Sequence, residues 1–358
     1  MIKRLTKRDM KATIKDIAKR ADTSIATVSN VLSNKDMRVS ASTRKRVLSV
    51  AKELNYSPNV KGVNLKKGCT NLIAVIVGDL LYPFYAKLLK QIGDQLRPYG
   101  KSIVVCDIDN NYQLEKEHYQ RLATGYVDGA IIIPSPITQT TKNVTAVKKQ
   151  LSAIGIPVVI VAPGAKCVYP ELSTVETDAF QSAYIATEYL LSLGHTEIGF
   201  VSEMKELSVY NARYSGYVAA LKEKEIEVNP RLIAAGYTRY TGGHASFDYL
   251  RGNQHATMSA VLCSSDMLAI GFNAQARMRG YDVPTDISII GMDNILATEH
   301  NDPKITTVNQ DVNKLASLAI EMLLKEINSF DVGCFPEVSH LVLSPSMVYR
   351  ESCAEKHG

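Results

Sequence analysis

The polar residues that best suit a specific chemistry lie near the N-terminus, where Ser24 can cap a short helix. Val28, Val31 and Leu32 form one apolar stripe of the helical pattern, so another face points outward. That outward face consists of Ile25, Ala26, Thr27, Ser29 and Asn30. Such a face suits the base edges of a DNA major groove, because Ile and Ala offer apolar surface to thymine methyl groups and Asn pairs bidentately with adenine. The alternative is that this face is only exposed to solvent and binds nothing.

Excess positive charge is confined to the N-terminal part of the chain. Residues 1–68 carry 17 Lys and Arg against 5 Asp and Glu, a net charge of +12, so the other 290 residues must carry −7 to give +5 for the whole chain. A basic terminal module binds a polyanion such as DNA, RNA or an acidic membrane, because neutralising phosphates releases counterions. Charge alone does not separate these partners from a solvated charged face.

Residues 13–57 contain signals for three short helices. Thr13 and Asp16 form a capping box at the start of the first helix, Ser24 caps the second, and Ser40 caps a third. The third helix carries the apolar residues Val47, Leu48, Ala51 and Leu54. Two short helices with a tight turn inside a basic module indicate a helix-turn-helix domain, with a generic small helical bundle as the alternative.

Two segments flank this domain. Residues 58–68 begin with Pro58 and predict a hinge helix of one or two turns, which cannot stand alone in water and so needs a partner to fold. Residues 1–12 are polar and basic, and are either a DNA-contacting arm or the result of a start codon assigned too early.

From Asn71 the pattern changes to alternating strands and helices. The aliphatic runs are Leu72–Val77, Ser102–Cys106, Ala130–Ile133, Val158–Val161, Ile198–Val201, Ala260–Leu262 and Ile287–Ile290. Near-continuous aliphatic strands separated by helices are typical of parallel sheets buried on both faces. Seven runs over this length predict an α/β core of two doubly wound lobes, and ligands in such folds bind outside the carboxyl ends of the strands, here in the cleft between the lobes.

Several classes of protein are disfavoured by what the sequence lacks. It has no run of about 18 apolar residues, no signal-peptide pattern, and no Cys or His spacing typical of a metal site. It has no GxGxxG, and Gly100-Lys101-Ser102 does not complete a phosphate-binding loop. We therefore expect a cytoplasmic protein without a membrane partner, metal or cofactor, and not an enzyme or an exported binding protein.

The order of motifs resembles the lactose repressor (LacI/GalR) family from Thr13 to Ser352. The motifs include Thr-Ile-Lys-Asp-Ile-Ala (13–18), Ala-Thr-Val-Ser (26–29), Leu-Asn-Tyr-Ser-Pro-Asn (54–59), Pro83-Phe84-Tyr85, Leu193-Gly194-His195, Ser265-Asp266, Gly291-Met292-Asp293-Asn294 and Ile305-Thr306-Thr307-Val308. The resemblance implies a helix-turn-helix headpiece, a hinge helix that folds on the operator, and a core of the type I periplasmic-binding-protein fold. It also implies a homodimer on a palindromic operator, controlled by a small-molecule effector and most often acting as a repressor.

Matched positions imply the DNA-binding residues. These are Thr13, Ser24, Ile25, Ala26, Thr27, Ser29, Asn30, Ser40, Thr43, Asn59 and Leu65, with Lys45 as a further phosphate contact. Leu65 matches a leucine that wedges into the minor groove. Asn30 stands where many members have Arg, so we expect an altered operator base there.

Matched positions also imply the effector site. Phe84 and Tyr85 would line the cleft from one lobe, Arg213 and Asp293 from the other, with Asp178 and Ser265 as second choices. Fewer polar groups than usual surround this site, since Ala162-Pro163 replaces a common charged pair. The effector therefore stays open between a sugar or sugar phosphate, a less polar metabolite, and control by a protein co-regulator.

The resemblance also divides the core, residues 69–352. The N-lobe is expected at about 71–165 plus 303–332, and the C-lobe at about 166–300 plus 333–352. Residues 353–358 form a short tail without the leucine heptads of a tetramerisation helix, so we expect a dimer.

Overall fold

The computed structural model describes residues 12–33, 39–56, 69–135, 141–203, 205, 207–252, 257–333 and 337–356. The chain divides between residues 70 and 71 into two compact units, a headpiece and a core. Each unit has its own apolar interior.

The headpiece contains helices α1 (Ile14–Arg20), α2 (Ile25–Leu32) and α3 (Ala41–Glu53). The three predicted N-caps are confirmed, because Thr13, Ser24 and Ser40 each accept a hydrogen bond from a backbone N–H in the first turn of their helix. Ile17, Val28 and Val47 bring one residue from each helix into the buried interior. The expectation for Leu48 is wrong: it is 48% exposed, and Val50 takes the inward position on α3 instead.

The core is built from twelve strands in its described residues. They are β1 (Leu72–Val77), β2 (Ser102–Asp107), β3 (Gly129–Ile133), β4 (Val158–Val161), β5 (Ser173–Thr177), β6 (Ile198–Ser202), β7 (Ile233–Ala235), β8 (Ala260–Cys263), β9 (Ser288–Met292), β10 (Thr306–Asn309), β11 (His340–Leu343) and β12 (Ser346–Val348). All seven strands expected from the aliphatic runs are present.

The helices that cover these strands follow the α/β alternation. They are α4 (Pro83–Leu96), α5 (Tyr112–Leu122), α6 (Thr141–Ser152), α7 (Ala165–Val168), α8 (Ala179–Ser192), α9 (Ser208–Glu223), α10 (Arg239–Gly252), α11 (Asp266–Met278) and α12 (Val312–Asp331). Among the described residues, no helix is long and apolar enough to cross a membrane.

The strands form two six-stranded sheets, one in each lobe. Their orders are β11-β5-β4-β3-β1-β2 and β12-β10-β9-β8-β6-β7. Every pairing is parallel except that of β10 with β12. Two doubly wound parallel lobes are therefore confirmed, with one antiparallel strand at the edge of the second sheet.

The lobe limits differ from those expected. Strand β5 and strand β11 pair in the first sheet, whereas β10 belongs to the second, so residues 166–177 and 340–343 lie in the N-lobe and 306–309 in the C-lobe. The expectation failed because β5 and β11 mix polar and apolar residues and carry no aliphatic run. The chain thus passes between the lobes three times, after β5, after β10 and after β11.

Helices α8 and α9 approach each other closely at Gly216. A Cβ atom on Gly216 would lie 2.1 Å from the backbone oxygen of Phe180 in α8, closer than any van der Waals contact allows. The absence of a side chain at this position lets the two helices share one face of the second sheet.

We predict that Gly216→Ala lowers the free energy of unfolding by about 2–3 kcal/mol, because α8 or α9 must shift away from its packed position. Gly252→Ala is the matched control, since nothing lies within 4 Å of a Cβ atom on Gly252. Urea denaturation of both variants measures the difference. Equal stability of the two would show that the close approach imposes no constraint.

Candidate functional site

Helix α2 presents the expected residues to the outside of the headpiece. Ile25 is 46% exposed, Ala26 is exposed, and Thr27, Ser29 and Asn30 are partly exposed, whereas Val28 and Val31 are buried. Apolar, hydroxyl and amide groups therefore share one accessible face, which has the chemistry needed to contact base edges.

Hydroxyl groups cluster at the helix N-termini of the headpiece. The Oγ of Ser24 lies 2.8 Å from the Oγ1 of Thr27, and the Oγ of Ser40 lies 2.8 Å from the Oγ1 of Thr43. Unpaired backbone N–H groups at a helix N-terminus favour anions, and adjacent hydroxyls add further donors. These pairs suit phosphate oxygens, which position a protein without reading sequence.

The Thr13 cap has a different environment. Its backbone N–H and hydroxyl both donate to the carboxylate of Asp16, at 2.8 and 2.6 Å, and these bonds lower the pKa of Asp16. Lys45 is exposed on α3. Asn59, Leu65 and the rest of the expected hinge helix at 58–68 lie outside the described residues, as do residues 1–11.

The core holds a cavity of about 200 Å³ between the carboxyl ends of its two sheets. Its lining residues come from strands, helices and loops of both lobes. They are Asp79, Tyr82, Phe84, Tyr85, Asn110, Ile133, Pro134, Val161, Ala162, Pro163, Val175, Glu176, Thr177, Glu203, Leu207, Val209, Arg213, Thr238, Arg239, Ser265, Asp293, Gln310 and Leu315. Polar groups thus converge on a largely apolar cleft, which is the usual form of a small-molecule site.

Three aromatic rings form one corner of the cavity. The centroids of Tyr82 and Tyr85 are 5.0 Å apart with planes tilted by 42°, and those of Phe84 and Tyr85 are 5.8 Å apart, edge to face. Pro83 fixes the first turn of α4 at this point and so holds the three side chains around it at the cleft. Such rings offer flat apolar faces to a bound ring.

Asp293 is the most constrained polar residue of the site. Its carboxylate accepts hydrogen bonds from Tyr82 Oη at 2.7 Å and from Gln310 Nε2 at 2.5 Å. Burial raises its pKa to about 6, although Arg213 and these two bonds oppose the rise. Its backbone has φ 110°, a conformation that a residue with a side chain adopts only when its surroundings enforce it.

Arg213 enters the cavity from α9. Its Nη1 donates to the backbone oxygen of Ser264 at 2.9 Å and lies 3.8 Å from Oε2 of Glu203. That same Oε2 accepts a hydrogen bond from the Ser264 hydroxyl at 2.7 Å. Ser265, the next residue along, caps α11 and also lines the cavity.

Two buried polar atoms at the cavity have no hydrogen-bond partner among the described residues. They are Nε of Arg213, in the C-lobe, and Oγ1 of Thr177, at the end of β5 in the N-lobe. Both side chains line the cavity, and both residues are buried, with Arg213 7% and Thr177 3% exposed. Because a buried unpaired polar atom is costly, this arrangement favours a ligand that supplies polar atoms to both walls.

Three polar contacts join the lobes at the cleft. Tyr82 donates to Asp293, Arg239 forms an ion pair with Asp79, and Lys87 Nζ donates to the backbone oxygen of Asn294 at 3.3 Å. In each contact one residue belongs to the N-lobe and the other to the C-lobe. The polar groups of the cleft therefore largely satisfy one another in this conformation.

Five of the six expected effector residues line the cavity: Phe84, Tyr85, Arg213, Ser265 and Asp293. Asp178 does not. Its Oδ1 accepts a hydrogen bond from the backbone N–H of Gln181 and caps α8, so the preceding Thr177 takes the place at the cavity. Sequence reasoning missed Asp79, Tyr82, Glu203 and Gln310, although each lies within two residues of the end of a strand or the start of a helix, which is a usable signal.

Comparison with known families and relatives matches both units. The family described as "Bacterial regulatory proteins, lacI family" matches residues 13–59, and "Periplasmic binding protein-like domain" matches residues 187–353. The HTH-type transcriptional repressor PurR of Pasteurella multocida is 31% identical over 341 residues, covering 95% of this chain and 98% of the relative. The HTH-type transcriptional repressor CytR of Escherichia coli K12 is 34% identical over 328 residues, covering 91% and 93%.

A solved structure gives the same fold. The lac repressor dimer bound to operator and the anti-inducer ONPF superposes with a TM-score of 0.80 at 23% identity, and covers 96% of this chain and 99% of that one. At this identity the likeness is evidence for the fold alone.

We predict that Thr177→Val leaves the ligand-free protein as stable as the wild type or up to about 1 kcal/mol more stable, because it removes a buried hydroxyl without a partner. Thr187→Val is the matched control, since that buried hydroxyl donates to the backbone oxygen of Ala183 at 2.8 Å and its loss costs about 1 kcal/mol. Thermal denaturation compares the three proteins. A loss at Thr177 as large as that at Thr187 would mean that its hydroxyl serves the fold and not a ligand.

Proposed function

The chain belongs to the lacI family of bacterial regulatory proteins, and we propose that its interlobe cleft binds the effector that sets the operator affinity of its headpiece. As a family member it is a DNA-binding transcription repressor with a small-molecule effector. The observation that carries the assignment of the cleft is the pair of unpartnered atoms, Arg213 Nε and Thr177 Oγ1, on its opposite walls. A ligand with polar atoms at both ends would supply the partners that these two atoms lack.

The headpiece reads the operator through α2 in this proposal. Ile25 and Ala26 contact thymine methyl groups, Asn30 pairs with an adenine, and the capped hydroxyls of Ser24 and Ser40 bind phosphates. Its high positive charge supports tight, salt-sensitive binding. Because its target is DNA, we place the protein in the cytoplasm.

The effector is a small ring compound without a phosphate. Four carboxylates line the cavity, those of Asp79, Glu176, Glu203 and Asp293, against the two guanidinium groups of Arg213 and Arg239. This excess of negative charge opposes an anion, so of the ligands that the sequence leaves open we favour the sugar and the less polar metabolite over the sugar phosphate. The aromatic corner supplies the stacking surface.

The active form is a homodimer. Strand β2 is the outer strand of the N-lobe sheet, and it exposes Val105 next to a turn in which Leu81 is 74% exposed. An open strand edge with apolar side chains favours association. The similar lac repressor is a dimer on its operator, and two headpieces of a dimer match a palindromic site.

Control of DNA binding follows from the contacts between the lobes. An effector that favours one arrangement of the lobes shifts their equilibrium by no more than its difference in affinity for the two arrangements. The Tyr82–Asp293 and Arg239–Asp79 contacts are the ones such a ligand would replace or reinforce.

We predict that Asn30→Arg changes the preferred base at one symmetric pair of operator positions from adenine to guanine, because Arg pairs bidentately with guanine. Lys45→Ala is the contrasting variant. It should weaken binding to all duplexes alike, since a phosphate contact carries no sequence information. The slope of log affinity against log salt concentration should also fall in magnitude by about one.

Selection from a randomised palindromic duplex library, followed by fluorescence anisotropy at two salt concentrations, measures both effects. An unchanged base preference at every position in the Asn30 variant would show that residue 30 does not contact a base.

A further inference from the structure

We propose that the effector carries a protonated amine, which is bound between the carboxylate of Glu203 and the aromatic corner formed by Tyr82, Phe84 and Tyr85. The inference rests on the proposed effector role of the cleft and adds the charge of the ligand. Its basis is the distribution of charge in the cavity and the geometry of Glu203.

The negative excess of the cavity is concentrated at one end. Asp79 is neutralised by its ion pair with Arg239, and burial raises the pKa of Glu176, which accepts a hydrogen bond from the backbone N–H of Ala165 at 3.0 Å. Glu203 and Asp293 remain, and they share the single cation Arg213. Among the described residues, these two carboxylates therefore have one cation between them.

Glu203 keeps one carboxylate oxygen open to the cavity. All its polar contacts fall on Oε2, which accepts from the hydroxyls of Ser202 at 3.1 Å and Ser264 at 2.7 Å and faces Arg213. Among the described residues, no donor reaches Oε1. The side chain is 19% exposed and lines the cavity, so it is held in place by one oxygen and free to bind a donor through the other.

The aromatic corner lies within reach of the same charges. The carboxylates of Asp293 and Glu203 both raise the pKa values of Tyr82 and Tyr85, next to the larger effect of burial. Both phenols therefore stay neutral, and the ring faces keep the negative quadrupole that attracts a cation. A carboxylate beside a set of aromatic rings is the combination that recognises an ammonium group.

An amine is favoured over the other ligands that fit the volume. A hydroxyl group can donate to Glu203 but gains nothing from the ring quadrupole, and a phosphate is repelled by both carboxylates. An ammonium group loses its water on entry, and the open oxygen of Glu203, the excess charge and the rings together replace that hydration. We therefore expect Glu203 to be the residue that discriminates between ligands by their charge.

The test uses a pool of primary amines that includes amino sugars and arylethylamines, the same pool after N-acetylation, and a pool of sugar phosphates. Thermal shift and operator anisotropy on the full chain report binding. We expect the amine pool to raise the melting temperature and to change operator affinity, and the acetylated pool, which lacks the charge, to act at least about tenfold more weakly.

Glu203→Gln keeps an acceptor for Ser202 and Ser264 but removes the charge, and should abolish the preference for amines. Glu227→Gln is the matched control, because Glu227 is exposed and does not line the cavity.

A stronger response to the acetylated or phosphate pool, an unchanged preference in Glu203→Gln, or no response to amines at all would each overturn the proposal. A response to the acetylated or phosphate pool that Arg213→Ala removes would leave the effector role of the cleft standing, whereas no response to any pool would contradict both.

Discussion

A carboxylate that is kept out of water must be hydrogen-bonded, and in this protein that requirement falls on Asp293, which is 3% exposed. One bond comes from Tyr82 in the N-lobe and another from Gln310 in the crossover after β10, while Arg213 faces it from α9. Opening the lobes removes the Tyr82 bond. The solvation of this one carboxyl group is therefore coupled to the position of the lobes through the Tyr82 bond.

The same requirement explains why the cleft can report on a small molecule. The pairs Tyr82–Asp293 and Arg239–Asp79 already join the lobes, so a ligand that displaces them gains affinity only where it makes better contacts. Arg213 Nε, Thr177 Oγ1 and Glu203 Oε1 have no hydrogen-bond partner in the described part of the chain, and they define where such a gain is available. A ligand shifts the lobe equilibrium only by its difference in affinity for the two arrangements, so its contacts with these groups must differ between them.

Sequence reasoning identified the elements better than the site. Caps at Thr13, Ser24 and Ser40 and the aliphatic runs are local signals, and the headpiece helices and seven of the strands follow from them. The site depends on which residue ends each strand, and an error of one position exchanges a cavity residue for a helix cap, as Thr177 and Asp178 show. The positions of Glu203 and Asp79 just after strands are a local signal, but their role depends on Ser264 and Arg239, which lie far along the chain.

The central claim is that occupancy of the interlobe cleft controls binding of the headpiece to one operator. The direct measurement is fluorescence anisotropy of the selected palindromic duplex with wild type and with Arg213→Ala, each with and without fractionated small-molecule metabolites. We expect selective, salt-sensitive binding by both proteins, and a fraction that changes the operator affinity of the wild type but not of the variant. A fraction that changes both equally, or the absence of selective binding, would contradict the account.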